Sequence, residues 1–115
     1  EDVVRWVKAV FVDETILDKQ QKQTMMQVVS IQTGKPVSQV SASDPRAFGL
    51  GIIQGYDKDI GKFWFYEGET EGFRTLYLYV PSNNIIIAAA FNSAVDGEND
   101  HANELVKAVY KLLMR

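Results

Sequence analysis

Nucleophilic acyl transfer needs a serine, threonine, cysteine or lysine beside a base, and the inventory for it here is thin. The 115 residues hold no cysteine and a single histidine, His101. Thiol nucleophiles, disulfides and cysteine-ligated metals are thereby excluded, and any serine–histidine couple would rest on His101 alone. That residue falls in the polar segment opening the last helix, where it reads as a solvated helix-start side chain. Asp96, Glu98 and Asp100 lie near it in sequence; they would hold a cation only weakly and read as a solvated acidic turn. Gly49-Leu50-Gly51 is not a phosphate-binding loop, for it lacks the later glycine, the lysine and the following helix that such a loop requires. It reads as a strand approached closely by another backbone. The most unusual segment is Tyr66-Glu67-Gly68-Glu69-Thr70-Glu71-Gly72-Phe73. Glu67, Glu69 and Glu71 alternate, so on a strand they share one face, and three like charges keep that face wet. Gly68 and Gly72 let a ligand or another backbone come near. From composition alone, the segment is an exposed hairpin end with acidic gatekeepers.

The elements that must position these residues follow from periodicity. Val3, Trp6, Val7 and Val10 recur at helical spacing, which predicts an amphipathic helix over residues 2–12. Asp18, with Gln21 three residues on, predicts the capped start of a second helix over 19–29. Residues 30–47 read as a loop, with a turn at Thr33-Gly34-Lys35-Pro36; a loop this long should wrap a surface or border a site. Four strands are predicted next, over 48–56, 62–67, 73–80 and 85–91. The last, Ile85 to Phe91, is continuously apolar, as expected for burial on both faces. Leu105, Val106, Val109, Leu112 and Leu113 then mark a closing helix. Helices set apart from a run of hairpin-linked strands predict an α+β domain: an antiparallel sheet of about four strands, with two N-terminal helices and a C-terminal helix packed on it.

Composition bounds the function classes. A chain of this length makes one domain, 1–115, with 46% hydrophobic and 23% charged residues, the proportions of an ordinary globular protein. The net charge of −3 argues against broad electrostatic binding to nucleic acid. The apolar run Ile85 to Phe91 falls far short of the roughly 20 residues a membrane span needs. The start Glu1-Asp2-Val3, without an initiator methionine, is expected to be an internal point of a longer chain.

Taken in order, the motifs resemble the C-terminal portion of the serine β-lactamase-like family, the penicillin-binding fold of class C β-lactamases, D-Ala-D-Ala carboxypeptidases and related esterases. Glu1 to Trp6 resembles the family's helix that begins with an acidic residue and carries an aromatic. Phe48-Gly49-Leu50-Gly51 is similar to its aromatic-Gly-Leu-Gly strand. Tyr66-Glu67-Gly68 is similar to its third active-site motif, Lys/His-x-Gly, with Gly72-Phe73 opening the next strand. Val80-Pro81 to Asn84, then Ile85 to Asn92, is similar to its strand-turn-strand ending in asparagine. The resemblance spans essentially the whole chain.

The resemblance implies a partial β-lactamase-like fold in which Tyr66, Glu67 and Gly68 bind substrate along a cleft. It implies that the backbone N–H of Glu69 is an oxyanion-hole donor. It implies no cofactor. Tyr66 stands where the family has a lysine or histidine, so it offers a neutral phenol rather than a charge, which suits an ester or amide better than a substrate carboxylate. The family's Ser-x-x-Lys and Tyr-x-Asn motifs are missing: Ser30, Ser38, Ser41, Ser43, Ser82 and Ser93 all lack a lysine three residues on. The expected function is therefore that of a C-terminal part of a serine hydrolase. The intact protein would hydrolyse a β-lactam, a peptidoglycan-type D-Ala peptide or a small ester through an acyl-enzyme; these residues alone would be inactive. The alternative is a non-catalytic ligand-binding module on the same fold. The family also implies a periplasmic or secreted location, and a strand partner for Ile85 to Phe91. Without that partner, a homodimer through the exposed strand edge is expected.

Overall fold

Val7, Val10 and Phe11 lie on one side of a ten-residue helix, and that stripe decides where the helix goes. The computed structural model describes residues 1–93 and 100–115. In chain order the elements are α1 (Asp2–Phe11), α2 (Lys19–Met25), β1 (Val28–Ser30), β2 (Pro36–Val37), β3 (Arg46–Phe48), β4 (Ile53–Asp57), β5 (Gly61–Thr70), β6 (Phe73–Val80), β7 (Ile85–Phe91) and α3 (Ala102–Leu113). The strands form one sheet in the order β2-β1-β3-β4-β5-β6-β7. Every neighbouring pair is antiparallel.

The register sorts side chains into two layers. Ala47, Gln54, Trp64, Tyr79 and Ile86 stand in line across β3 to β7 on one face. There they meet Val7, Val10 and Phe11 of α1. Phe11 stacks on Trp64 at a centroid distance of 6.5 Å and tilts against Tyr79 at 5.4 Å. Strand alternation sends Leu78, Val80 and Ile87 to the other face, where they pack with Val106 and Tyr110 of α3. Asn83, in the β6–β7 turn, donates to the Tyr110 hydroxyl at 2.7 Å and ties that turn to α3.

The α+β class and the N-terminal, sheet, C-terminal order follow the sequence reading, but the sheet has seven strands rather than four. The helix expected over 19–29 stops at Met25, and Val28–Ser30 is a strand. The capping box is as read, with the Asp18 carboxylate accepting from the Gln21 N–H and the Gln21 side chain accepting from the Asp18 N–H. The loop expected over 30–47 contains β2 and reaches into β3. Strands of two or three residues are too short to display an alternation, and Pro36 is tolerated because β2 is an edge strand. The single strand expected over 48–56 is two, β3 and β4, joined by a bend at Gly49-Leu50-Gly51 in which Gly51 takes φ +69°. Ile85 to Phe91 is the last strand of the sheet. Only Ile87 is buried and Ala90 is exposed, because α1 and α3 cover this strand incompletely.

Gly49 is where another backbone does come close. The Leu50 N–H donates to the Met25 carbonyl at 2.9 Å, and a Cβ on Gly49 would stand 2.6 Å from that same oxygen. A carbonyl held in a helix end cannot swing away as a side chain can. Gly49→Ala is expected to cost about 1–3 kcal/mol by overpacking. A urea titration followed by far-UV circular dichroism measures it; a midpoint equal to that of the unsubstituted chain would contradict the contact.

Candidate functional site

Strand β5 is ten residues long, and its two sides are paired unequally. On one side β4 accompanies it only as far as the pair Ile53–Phe65. On the other, β6 accompanies it to the pair Thr70–Phe73. Tyr66 to Thr70 therefore has one open side, with no strand paired to it among the described residues. This stretch holds the segment singled out above except its turn and Phe73, which opens β6.

The direction of the peptide groups on that open side follows from the hairpin. Glu71 and Gly72 form a two-residue loop, with Gly72 at φ +80°. Such a loop closes on a hydrogen-bonded pair, so Thr70 turns its N–H and C=O toward Phe73. Alternation along an antiparallel ladder then turns the groups of Gly68 and Tyr66 toward β6, and those of Glu69, Glu67 and Phe65 the other way. Phe65 meets Ile53 of β4. The N–H and C=O of Glu67 and Glu69 point off the open edge.

The side chains of the four expected site residues do not gather on one face. Tyr66 and Gly68 share the α1 face with Trp64, whereas Glu67 and Glu69 share the α3 face with Phe65. What unites the four is the edge. Glu71 does not join Glu67 and Glu69 on a face, because the strand ends at Thr70 and Glu71 sits in the turn. Gly68 has ample room: an added Cβ would find only the Thr75 hydroxyl, at an ordinary 3.5 Å. The fold does not demand glycine there. Tyr66, partly exposed, pairs across the strands with Tyr77. Burial, and then proximity to Tyr66, raises the Tyr77 hydroxyl above its ordinary pKa. Trp6 of α1 meets Tyr77 edge-on at 6.2 Å and so borders the same surface.

Arg74 is the residue the sequence reading missed. It stands opposite Glu69 on β6 and reaches diagonally to the Glu67 carboxylate at 2.8 Å, and to Asp100 ahead of α3 at 2.7 Å. Its guanidinium is well covered, and the two carboxylates hold it above its ordinary pKa against the pull of burial. Asp100 is lowered chiefly by its hydrogen bond from Arg74 and then by the Ala102 N–H. The pattern carried a signal: a two-residue turn at Glu71-Gly72 brings Arg74 back beside the acids of the outgoing strand.

His101 stands at the start of α3, exposed, with its ring against Glu104 at 2.8 Å. It is placed as the solvated residue expected, next to Asp100, which meets Arg74 at 2.7 Å. Asp96 and Glu98, expected in an acidic turn beside it, lie outside the described residues. Among the described residues no three acids or histidines converge on a metal position, and no helix is long and apolar enough to cross a membrane.

A second ion pair fixes α3 to the sheet. Lys107 meets Asp57 of β4 at 2.6 Å. Burial works to raise the Asp57 carboxyl, but Lys107 and the Asp59 and Ile60 N–H groups outweigh it and hold it below its ordinary value. A carboxyl depressed in the fold contributes stability that is present above its unfolded pKa and lost as pH falls through the lower folded value. Asp57 and Asp100 both act in this sense. Melting temperature is therefore expected to hold steady from neutrality to about pH 5 and to fall below about pH 4. The D57N/D100N variant should melt lower at pH 7 and show a shallower acid decline. Parallel curves for the two proteins would contradict the assignment.

Compared with known proteins, the chain matches no family model, and neither a curated protein nor a solved structure is significantly similar to it.

Proposed function

We propose that these residues form one wall of the substrate cleft in a β-lactamase-like serine hydrolase whose nucleophile comes from a segment outside residues 1–115. The supporting observation is a coincidence of two independent features. The residues resembling the family's third motif, Tyr66-Glu67-Gly68, occupy the stretch of β5 left unpaired beside β4, and the alternation that follows from the hairpin points the Glu69 N–H off that edge. An acyl-transfer site needs just such a fixed donor, aimed where charge develops and free of any bond within the sheet.

In this reading the serine attacks an ester or amide carbonyl, and the Glu69 N–H donates to the oxygen that gains charge. The tetrahedral species collapses to an acyl-enzyme and expels the alcohol or amine. Water then releases the acid. The free C=O and N–H of Glu67 and Glu69 also allow a peptide-like substrate to lie along the edge as an added strand. Gly68 leaves room for it. The Tyr66 phenol donates a hydrogen bond where the family carries a cation, which moves the preferred substrate from a carboxylate-bearing β-lactam or D-Ala peptide toward an ester. Arg74 offsets the Glu67 charge, so the carboxylate nearest the cleft is already paired. Export to the periplasm or beyond the cell goes with the family reading. The same resemblance leads to a homodimer for residues 1–115 alone, through the open side of β7, which has neither charge nor proline between Ile85 and Phe91. Sedimentation showing a monomer at high concentration would remove that part.

Intact-mass analysis after treatment with a serine-reactive phosphonate tests the reading. The longer protein should gain one adduct and residues 1–115 none. A phosphonate adduct without a penicillin adduct places the substrate among esters. No adduct on the folded longer protein would overturn the hydrolase and leave a ligand-binding module.

A further inference from the structure

We propose that the cavity between α3 and the sheet binds a small aromatic carboxylate. Arg46, Gly55 and Phe63 stand in line across β3, β4 and β5. Gly55 contributes no side chain, and the Phe63 ring lies over it: a Cβ there would fall 2.6 Å from the ring. Phe63 and Phe65, with ring centroids 5.5 Å apart and planes inclined at 49°, make an aromatic floor. Val106 of α3 forms the facing wall, and the space between, open to solvent at its mouth, is about 220 Å³. A dry apolar cavity of about 150 Å³ accepts benzene, so this one has room for an aromatic ring and a short substituent.

The charges at the mouth select the substituent. Asp57 is paired with Lys107 at 2.6 Å, and Glu67 with Arg74 at 2.8 Å, an arginine it shares with Asp100. Arg46 also lines the cavity, is exposed, and makes no ion pair among the described residues. Arg46 is thus the lining cation left without an ion pair, and its planar fork fits a carboxylate through two parallel hydrogen bonds. An aromatic ring on the phenylalanine floor and a carboxylate on Arg46 satisfy both halves of the cavity. This site shares the Glu67 side chain with the open edge of β5 but uses neither the edge peptide groups nor a nucleophile, so its test is independent of the hydrolase reading.

The test is titration of the folded chain with phenylacetate, and separately with its neutral isostere phenylacetamide, followed by two-dimensional amide NMR. Phenylacetate is expected to move the Gly55, Phe63 and Val106 amides saturably, and phenylacetamide to bind more weakly. Arg46→Gln, at an exposed position that leaves the core intact, should weaken phenylacetate about tenfold. Val106→Trp, checked by its own spectrum for a retained fold, should abolish binding by filling the cavity. Absence of saturable shifts at these amides would overturn the proposal. So would equal binding of the acid and the amide, or of the unsubstituted and Arg46→Gln chains.

Discussion

Under the proposed hydrolase function, Glu69→Pro should retain the fold and lose about 10²–10³-fold in acyl-transfer rate when the nucleophile-bearing segment is present, the usual cost of deleting one oxyanion donor. A backbone donor cannot be removed by changing a side chain, but proline carries no N–H. At most strand positions proline would break the sheet. Position 69 differs because alternation from the Thr70–Phe73 pair turns its N–H off the open edge, away from β6. Glu69→Gln, which keeps the N–H and loses the charge, separates the two effects and should retain the rate. Gly68→Pro supplies the opposite control: its N–H points into the β6 ladder, so that variant should lose stability sharply. Steady-state ester hydrolysis and circular dichroism on the three variants measure both quantities. Equal rates for Glu69→Pro and Glu69→Gln would remove the backbone donor from the mechanism.

Trp64→Ala is expected to cost about 3–5 kcal/mol. Trp64 is almost fully buried, stacks with Phe11, and faces Tyr79 across β5 and β6. It is the part of β5 that docks α1, two residues before Tyr66. A domain of this size has about 5–15 kcal/mol in total, so this one truncation removes a large share. The loss should appear in urea as a lower midpoint with little change in slope. Because Trp64 and Tyr66 lie on the same face of one strand, loosening of α1 should also broaden the Tyr66 and Tyr77 resonances. A loss below about 1 kcal/mol, the level of an average substitution, would mean that α1 is held elsewhere.

The elements read correctly from sequence were those long enough to display a period. α1 and α3 show apolar residues at three- and four-residue spacing, and β6 and β7 are bounded by Gly72 and by the Pro81 to Asn84 turn. What escaped were β1, β2 and the separation of β3 from β4; β1, β2 and β3 are each three residues or fewer. Their pairing is set by neighbours distant in sequence, such as Ser30 opposite Ala47. The candidate site was legible in part. The segment 66–73 drew attention by its alternating acids and its glycines, and the two-residue turn was visible in Glu71-Gly72. The open side of β5 was not, because it depends on β4 beginning only at Ile53, after the bend through Gly51. The cavity under α3 was equally hidden, since it depends on Phe63 folding over Gly55.

Everything proposed for the site depends on which way the β5 peptide groups point. Amide hydrogen exchange on residues 1–115, read residue by residue by NMR, observes this directly. The amides of Tyr66, Gly68 and Thr70 should exchange slowly, protected by β6, while those of Glu67 and Glu69 exchange as quickly as open chain. Slow exchange at Glu67 and Glu69 with fast exchange at Gly68 would mean that the strand is displaced by one residue, and would remove Glu69 as a donor.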